Sequence, residues 1–453
     1  MIRLRTTFAS LANRNYRLYF TGQAVSLTGT WMQRLGQAWL VLELSGSPTL
    51  LGVTTAAQFL PLLIAGPWGG LVADRVDKRR LLLRTQAAAG LLALLLGVLT
   101  ITGLVQLWMV LLFALGLGVI TALDNPARQS FVLEMVGPEQ VTNAVTLNSI
   151  VVNAARAVGP GAAGVLIASV GVGPTFLVDA ASYFAVVAAL LLMRREELYV
   201  APPAGRGPGQ LREGLEYVRR SPELLAPLAL MAVVGTLAYE FQVVLPVLAR
   251  ETFAGGADTL GLLNSALGIG AVVGGLLAAG ALRPSTASLA IAALSFGTFI
   301  LLAAGAPTLP LALGALFGTG AASITFLATG NSLLQLRSAP AMRGRVMALW
   351  SIAFLGTTPI GGPLVGWVAE VAGPRLALAL GGAATVASGL ALAGSLRRRA
   401  AHALPDVVPL RLRATVAGAA GRLAARRRPG LGWQQPRRRR GARDRTRRPA
   451  DAA

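Results

Sequence analysis

Gly69-Gly70-Leu71-Val72-Ala73-Asp74-Arg75-Val76-Asp77-Lys78-Arg79-Arg80 is the stretch on which the reading of this chain turns. An apolar run, 48–73, leads into it and another, 81–103, leads out, so its charges are confined to a short turn between two long apolar segments. A hydrocarbon core of about 30 Å takes roughly 20 helical residues, and each flanking run is long enough to span one. Outward from this turn the same alternation repeats. Twelve membrane crossings are predicted near 16–43, 48–73, 81–103, 106–126, 140–168, 172–193, 223–249, 258–282, 286–304, 308–330, 344–369 and 375–396.

The basic residues fall in every second break. Arg75, Lys78, Arg79, Arg80 and Arg84 follow the second crossing, and Arg128 follows the fourth. Arg194, Arg195, Arg206, Arg212, Arg219 and Arg220 separate the sixth from the seventh. Arg283 follows the eighth, and Arg337, Arg343 and Arg345 surround the turn after the tenth, whereas the opposite breaks hold only Arg250 and Arg375. Cytoplasmic loops retain Lys and Arg, so the asymmetry predicts a multi-pass protein of the cell (inner or plasma) membrane with both termini cytoplasmic. A bundle of buried helices in a soluble protein is the competing reading, and it gives no reason for the alternation.

Of the 453 residues 54% are hydrophobic, and there is no Cys, which excludes thiolate metal sites and disulfides. The one His, His402, lies past the last crossing, so no imidazole relays protons within the membrane and a carboxylate must do so. The net charge of +22 is concentrated: residues 397–453 carry 17 Arg against 3 Asp, which leaves +8 for the rest and gives no argument for nucleic-acid binding. That tail, with Arg426 to Arg428 and Arg437 to Arg440 as like-charge blocks, is expected to be disordered and cytoplasmic. It is either attracted to anionic lipid or a dispensable extension. Arg3, Arg5, Arg14 and Arg17 precede a first crossing too long for a cleavable signal.

Pro202-Pro203, Gly205 and Gly207-Pro208-Gly209 lie in the longest internal break and divide the chain into 1–193, a cytoplasmic linker 194–222, 223–396 and the tail 397–453. The two large parts carry a weak parallel repeat. Gly29-Thr30-Trp31-Met32-Gln33-Arg34 matches Gly235-Thr236-Leu237-Ala238-Tyr239-Glu240, while Gly159, Gly164 and Gly171 match Gly361, Gly366 and Gly373. Chance matching of abundant glycines is the alternative, but both matches pair the right crossings, first with seventh and fifth with eleventh. Related six-helix parts around a central loop are a transporter architecture.

The 69–80 turn resembles the cytoplasmic signature of the major facilitator superfamily, G-x-x-x-D-R-x-G-R/K-R/K, and departs from it at Asp77, where the family has Gly. Asn13-Arg14-Asn15-Tyr16-Arg17-Leu18-Tyr19 and Asp124-Asn125-Pro126-Ala127-Arg128-Gln129 are similar to the branch that holds enterobactin-type siderophore exporters and macrolide efflux pumps. Gly159-Pro160-Gly161-Ala162-Ala163-Gly164 is similar to the exporter signature G-P-x-x-G-G. The resemblance implies an all-α integral membrane protein of twelve helices in two pseudo-repeated halves. It also implies a cytoplasmic gate at Gly70, Asp74, Arg75 and Arg79, facing Arg343 and Arg345 and extended by Asp124 and Arg128. Gly159, Pro160 and Gly164 are read as a kinked, closely packed hinge, with ordinary small-residue packing as the alternative. The family's intramembrane Arg on crossing four is missing before Arg128, which puts the usual antiporter route in doubt.

Ionisable residues inside a crossing cost about 2.5–3.5 kcal/mol at its centre and are functional candidates for that reason. Gln23, Thr30, Arg34 and Gln37 share one face of crossing one, and Arg156 shares a stripe of crossing five with Thr146, Ser149 and Asn153. Arg34 and Glu240 are predicted to approach one central cavity, with Glu240 carrying the coupling proton; a permanent ion pair is the alternative. Asp179 is the second carboxylate, placed near enough to the outer boundary to reach water. Trp31, Trp39, Tyr239, Phe241 and Trp350 would line an apolar site. Glu43, Arg250, Glu251, Glu370 and Arg375 are assigned to interfacial solvation.

The one Lys, Lys78, follows Asp77, so there is no phosphate-binding G-x-x-x-x-G-K-[ST] loop, and no catalytic constellation is present. The expectation is a secondary-active exporter, not an enzyme, without cofactors or metal, monomeric in the lipid bilayer, exchanging a small hydrophobic or amphipathic substrate for protons. The substrate would be drug, macrolide or siderophore-like. An importer or facilitator, or a non-transporting receptor or scaffold, remains open.

Overall fold

The computed structural model describes residues 8–199, 210–281 and 284–402, apart from the side chains of 67–71, 73–74, 210–211, 279–281 and 397–402. The chain divides into two units after Leu396. In the second unit, only the backbone of 397–402 is described. Arg206, Arg283, the side chain of Asp74, the position of Gly70 in the gate and the expected disorder of the tail lie outside the described residues.

Fourteen α-helices account for most of the described chain, and it contains no strand. They are α1 (Arg14–Ser45), α2 (Pro48–Arg75), α3 (Lys78–Ile101), α4 (Leu107–Val170) and α5 (Gly173–Leu191), followed by α6 (Gln210–Arg219), α7 (Pro222–Leu237) and α8 (Phe241–Val247). After a π turn, Leu248–Thr252, come α9 (Ala257–Ala281), α10 (Thr286–Gly305), α11 (Leu309–Arg337), α12 (Arg343–Leu355), α13 (Thr358–Ala372) and α14 (Pro374–His402). Caps explain several starts. Asn13 accepts from the amides of Asn15 and Tyr16, Ser47 from that of Leu50 and Asp77 from that of Arg80, each satisfying amides that open a helix without a partner.

Among the described residues, ten helical stretches are long and apolar enough to cross a membrane, against the twelve expected. Two causes account for the difference. α1 is not among the ten, because Gln23, Ser26, Gln33 and Gln37 are buried along it and lower its mean hydropathy. α4, with 64 residues, absorbs two expected crossings and the loop between them. The expected break after Pro126 is helical. The one non-helical residue inside α4 is Gly137, at φ 72, followed by Pro138.

The expected seventh and eleventh crossings are each interrupted. α7 and α8 are separated at Ala238-Tyr239-Glu240, and α12 and α13 at Gly356-Thr357. The two interruptions face each other: a methyl group on Gly235 would lie 3.1 Å from the Thr357 hydroxyl, and one on Gly361 would meet the Thr236 carbonyl.

α1, α3, α4 and α5 pack together, with Tyr16, Phe131, Met135 and Leu190 fully buried at one end of that group. α9, α10 and α11 form the corresponding group in the later chain, around Phe296, Phe326 and Leu316. The groups meet through α4 against α9 and α2 against α13. The contacts are equivalent. Gly164 of α4 packs on the first turns of α9, at Asp258 and Gly261, and Gly366 of α13 packs on the first turn of α2, at Pro48 and Thr49. Gly171 closes α4 at φ 86, ψ 176 and Gly373 closes α13 at φ 84, ψ 158, conformations open to Gly and strained for other residues. The glycine repeat read in the sequence therefore recurs as a repeat of backbone geometry.

Hydrogen bonds also join the groups at this end. Arg250 Nη1 donates to the Leu42 carbonyl at 2.7 Å, and Glu370 Oε2 accepts from Ser47 Oγ at 2.6 Å and from the Thr49 amide at 3.0 Å. These two residues thus act between helices, beyond the interfacial solvation expected of them. At the opposite end, Lys78 pairs with Glu134 within the first part of the chain, Arg337 with Glu223 within the later part, and Arg345 with Glu213 of α6.

Candidate functional site

α1 brings Trp31, Arg34 and Gln37 to the middle of the molecule at helical spacing. The Arg34 guanidinium carbon lies over the Trp31 ring, 4.7 Å from its centroid. Arg156, from α4, lies over the same ring at 5.6 Å. Neither arginine is in an ion pair among the described residues, and the Arg34 Nε is buried with no hydrogen-bond partner. The charges that bear on Arg34 are those of Arg156, Asp179 and Arg128, and the neighbour that bears on Arg156 is Tyr239.

Two small cavities meet at Arg34. One, of about 20 Å³, is lined by Trp31, Pro160, Gln242 and Asn264; the other, of about 10 Å³, by Gln37, Thr54, Gln58 and Gln242. Gln242, Asn264, Thr54, Thr55 and Gln58 were not anticipated. The available signal was a polar amide or hydroxyl inside an apolar run, which marks a helix face turned to protein or water.

Glu240 occupies the α7–α8 interruption and is 3% exposed. Its carboxyl lies against Gly361 and Gly362 of α13 and near Thr358, and its Oε1 has no hydrogen-bond partner. The expected convergence of Arg34 and Glu240 does not occur: Arg34 faces Arg156, while Glu240 is held by the broken helix pair. Asp179 differs as well. It is fully buried, out of reach of water, with Ser182 Oγ donating to Oδ1 at 3.1 Å and Oδ2 unpartnered. It sits against Gly29 of α1, one turn from Arg34.

Asn153 is half-buried and donates to the Ser149 carbonyl at 2.8 Å. Pro160 keeps helical geometry, so α4 is unbroken at the expected kink and is closely packed there instead. Gly159 is set against Trp31 and Gly164 against α9. Of the expected aromatic lining, Trp31 lines one of these two cavities, and Trp39, Tyr239, Phe241 and Trp350 line neither. Tyr239 packs on Phe241, Phe296 and Phe354 and donates to the Ser323 carbonyl, Trp350 is buried against Gly330, and Trp39 donates to Glu43.

Asp124 and Arg128 belong to a network inside the first group. Arg128 Nη2 pairs with Asp124 Oδ2 at 2.9 Å, and Asp124 Oδ1 accepts from Thr85 Oγ1 at 2.7 Å and Gln86 Nε2 at 2.8 Å. Arg128 also donates to Gln23 and Asn125. In this state the pair joins α1, α3 and α4 and does not reach the later helices. Arg79 is buried and donates to the carbonyls of Leu190 and Leu191, closing the end of α5, and Arg75 is exposed. Arg343 donates to the Gln335 carbonyl, and Arg345 pairs with Glu213 at 2.8 Å.

Comparison with known proteins accords with this arrangement. Residues 5–410 match the family of transmembrane secretion effectors. The staphyloferrin A transporter of Staphylococcus aureus is 26% identical over 262 residues, 58% of this chain and 66% of that protein. An enterobactin exporter of Citrobacter koseri is 28% identical over 378 residues, 79% of this chain and 86% of that protein. Among solved structures, a peptide transporter superposes with a TM-score of 0.70 at 14% identity, over 85% of this chain and 95% of that one, which establishes the fold. The chain belongs to the transmembrane secretion effectors of the major facilitator superfamily: a multi-pass membrane transporter for a small molecule, and not an enzyme.

Proposed function

We propose that this transporter exports a small amphipathic compound, of the siderophore or drug type, in exchange for protons. Its two halves, 1–193 and 223–396, would alternate in access around Arg34, Arg156 and Glu240, with both termini cytoplasmic. The observation that carries the reading is Glu240: a buried carboxyl in an interrupted helix, touching the interruption in a second helix, with a free oxygen that can hold a proton. Discontinuous helices at mid-bundle are where transporters of other folds bind substrate and coupling ion. A proton moving on and off Glu240 changes what it presents to Gly362 of α13, and Gly362 packs in turn on Gly52 of α2, which would link protonation to the contact between the halves. The siderophore transporters among the relatives support the substrate type and the direction.

With the basic loops cytoplasmic, the end joined by Arg250, Glu370 and the glycine contacts would be external. The gate at Asp74, Arg75, Arg79, Arg343 and Arg345 would lie at the opposite end and form on the outward stroke.

Everted, energised vesicles offered a panel of macrolides, lipophilic dyes and catecholate siderophores test the reading. Native protein is expected to accumulate a member of the panel, and both Glu240→Gln and a protonophore are expected to reduce this to background. Accumulation that survives Glu240→Gln but not the protonophore moves the proton to Asp179, the other buried carboxyl with a free oxygen. Accumulation indifferent to the protonophore overturns proton exchange.

A further inference from the structure

Arg34 and Arg156 present a chemical problem that the transport reading does not solve. Two cations gather at one indole ring, half-buried, without an ion pair to either among the described residues. A cation–π contact is worth about 0.5–2 kcal/mol, whereas removing a charge from water costs several. Trp31 alone therefore does not compensate the pair. Asp179 bears on Arg34 from α5, but no carboxylate bears on Arg156.

The polar groups around the pair are matched to an incoming anion. Gln242 of α8 and Asn264 of α9 share the cavity with Arg34, and Gln37 and Thr54 share the second one. The amides of Gln242 and Gln37 and the second amide hydrogen of Asn264 are donors beside Arg34 that can satisfy lone pairs of a carboxylate, and guanidinium binds carboxylate bidentately; the Thr54 hydroxyl is already committed to the Leu50 carbonyl. The donors come from both parts of the chain: Arg34 and Arg156 from the first, Gln242 and Asn264 from the second. The unpartnered Arg34 Nε supplies a donor with no competing use.

We propose that Arg34 and Arg156 form an anion subsite that selects carboxylate-bearing substrates, with Trp31 as the surface that holds the two guanidinium groups together. The inference rests on the transport reading and narrows its substrate to compounds that carry negative charge. A neutral macrolide or dye would leave the pair uncompensated, and the site disfavours it for that reason.

The test is binding of citrate and of its neutral trimethyl ester to the purified full-length protein, native and with Arg34→Gln, Arg156→Gln and Arg34→Lys. Native protein is expected to bind citrate at least about tenfold more tightly than the ester. Each Gln variant is expected to lose that discrimination, and Arg34→Lys, which keeps the charge but loses the bidentate fork, to retain part of it. Unchanged thermal unfolding of the variants separates a lost site from a lost fold; a variant that unfolds is replaced by its Lys counterpart at the same position. No citrate binding by native protein, equal binding of the ester, or full binding by both Gln variants overturns the subsite. Citrate binding that needs both arginines, with no accumulation of citrate or of any panel member by the everted vesicles, would leave the subsite standing and remove the export reading alone.

Discussion

Asp124→Ala is expected to lower stability by about 3 kcal/mol, the low end of the cost of stranding one member of an ion pair, because the Arg128 side chain keeps 26% of its surface exposed. Asp124 is 3% exposed and takes three bonds, from Arg128, Thr85 and Gln86, so its removal leaves Arg128 with only the neutral oxygens of Gln23 and Asn125. The network spans α1, α3 and α4, so the loss is felt where three helices of the first group converge. Thermal unfolding of the purified protein measures it. The double variant Asp124→Ala with Arg128→Leu is expected to regain much of the loss, because a missing ion pair costs less than half of one. Equal unfolding of native protein and Asp124→Ala would show that water reaches Arg128, and the network would then carry little of the fold.

Much of the fold was readable from the alternation of apolar runs and basic turns, because membrane crossing imposes both on the sequence. The interruptions were less so. The expected break, 127–139, contains Gly137-Pro138, where the helix does depart from helical geometry, but its remaining residues are helical. In a packed helix, neighbours re-satisfy the carbonyl that Pro leaves free, and the helix continues. No Gly or Pro marks the opening at Ala238-Tyr239-Glu240, which exists because α13 packs against it; tertiary contacts of this kind leave no local trace.

The site was legible residue by residue but not as an assembly. Helical spacing put Arg34 and Gln37 on one face of α1, and the cost of burying charge singled out Arg156, Asp179 and Glu240. Periodicity fixes a face, not the rotation of one helix relative to another. That is why Arg34 was matched with Glu240 through the repeat, when its neighbours are Arg156 and Trp31. The glycine repeat fared better, since Gly171 and Gly373 are specified by backbone conformation, which the sequence records directly.

Gly52→Leu is expected to prevent closure of the end at which α2 meets α13 and so to reduce transport to about a tenth or less. A methyl group on Gly52 would lie 2.6 Å from the Gly362 carbonyl carbon and 2.9 Å from the Pro363 Cα, and backbone atoms on a helix cannot step aside as a side chain can. Only separation of α2 from α13 admits the leucine. That separation carries with it the bonds of Glu370 to Ser47 and Thr49, and the cavity beside Arg34 becomes open from that end. The absence of Cys from the chain supplies the readout, because Ala38→Cys places a single thiol on the lining of both cavities. Labelling by a membrane-impermeant maleimide from the external face is expected to be at least about tenfold faster in Gly52→Leu than in Gly52, a shift in state population of more than about 1.4 kcal/mol. Gly314→Leu, where nothing lies within 4 Å of the added carbon, controls for the bulk of the substitution and is expected to label and transport as native protein does. Equal labelling of Gly52→Leu and native protein, with transport retained, would mean that α2 and α13 do not form the moving contact, and that closure at this end depends on α4 against α9.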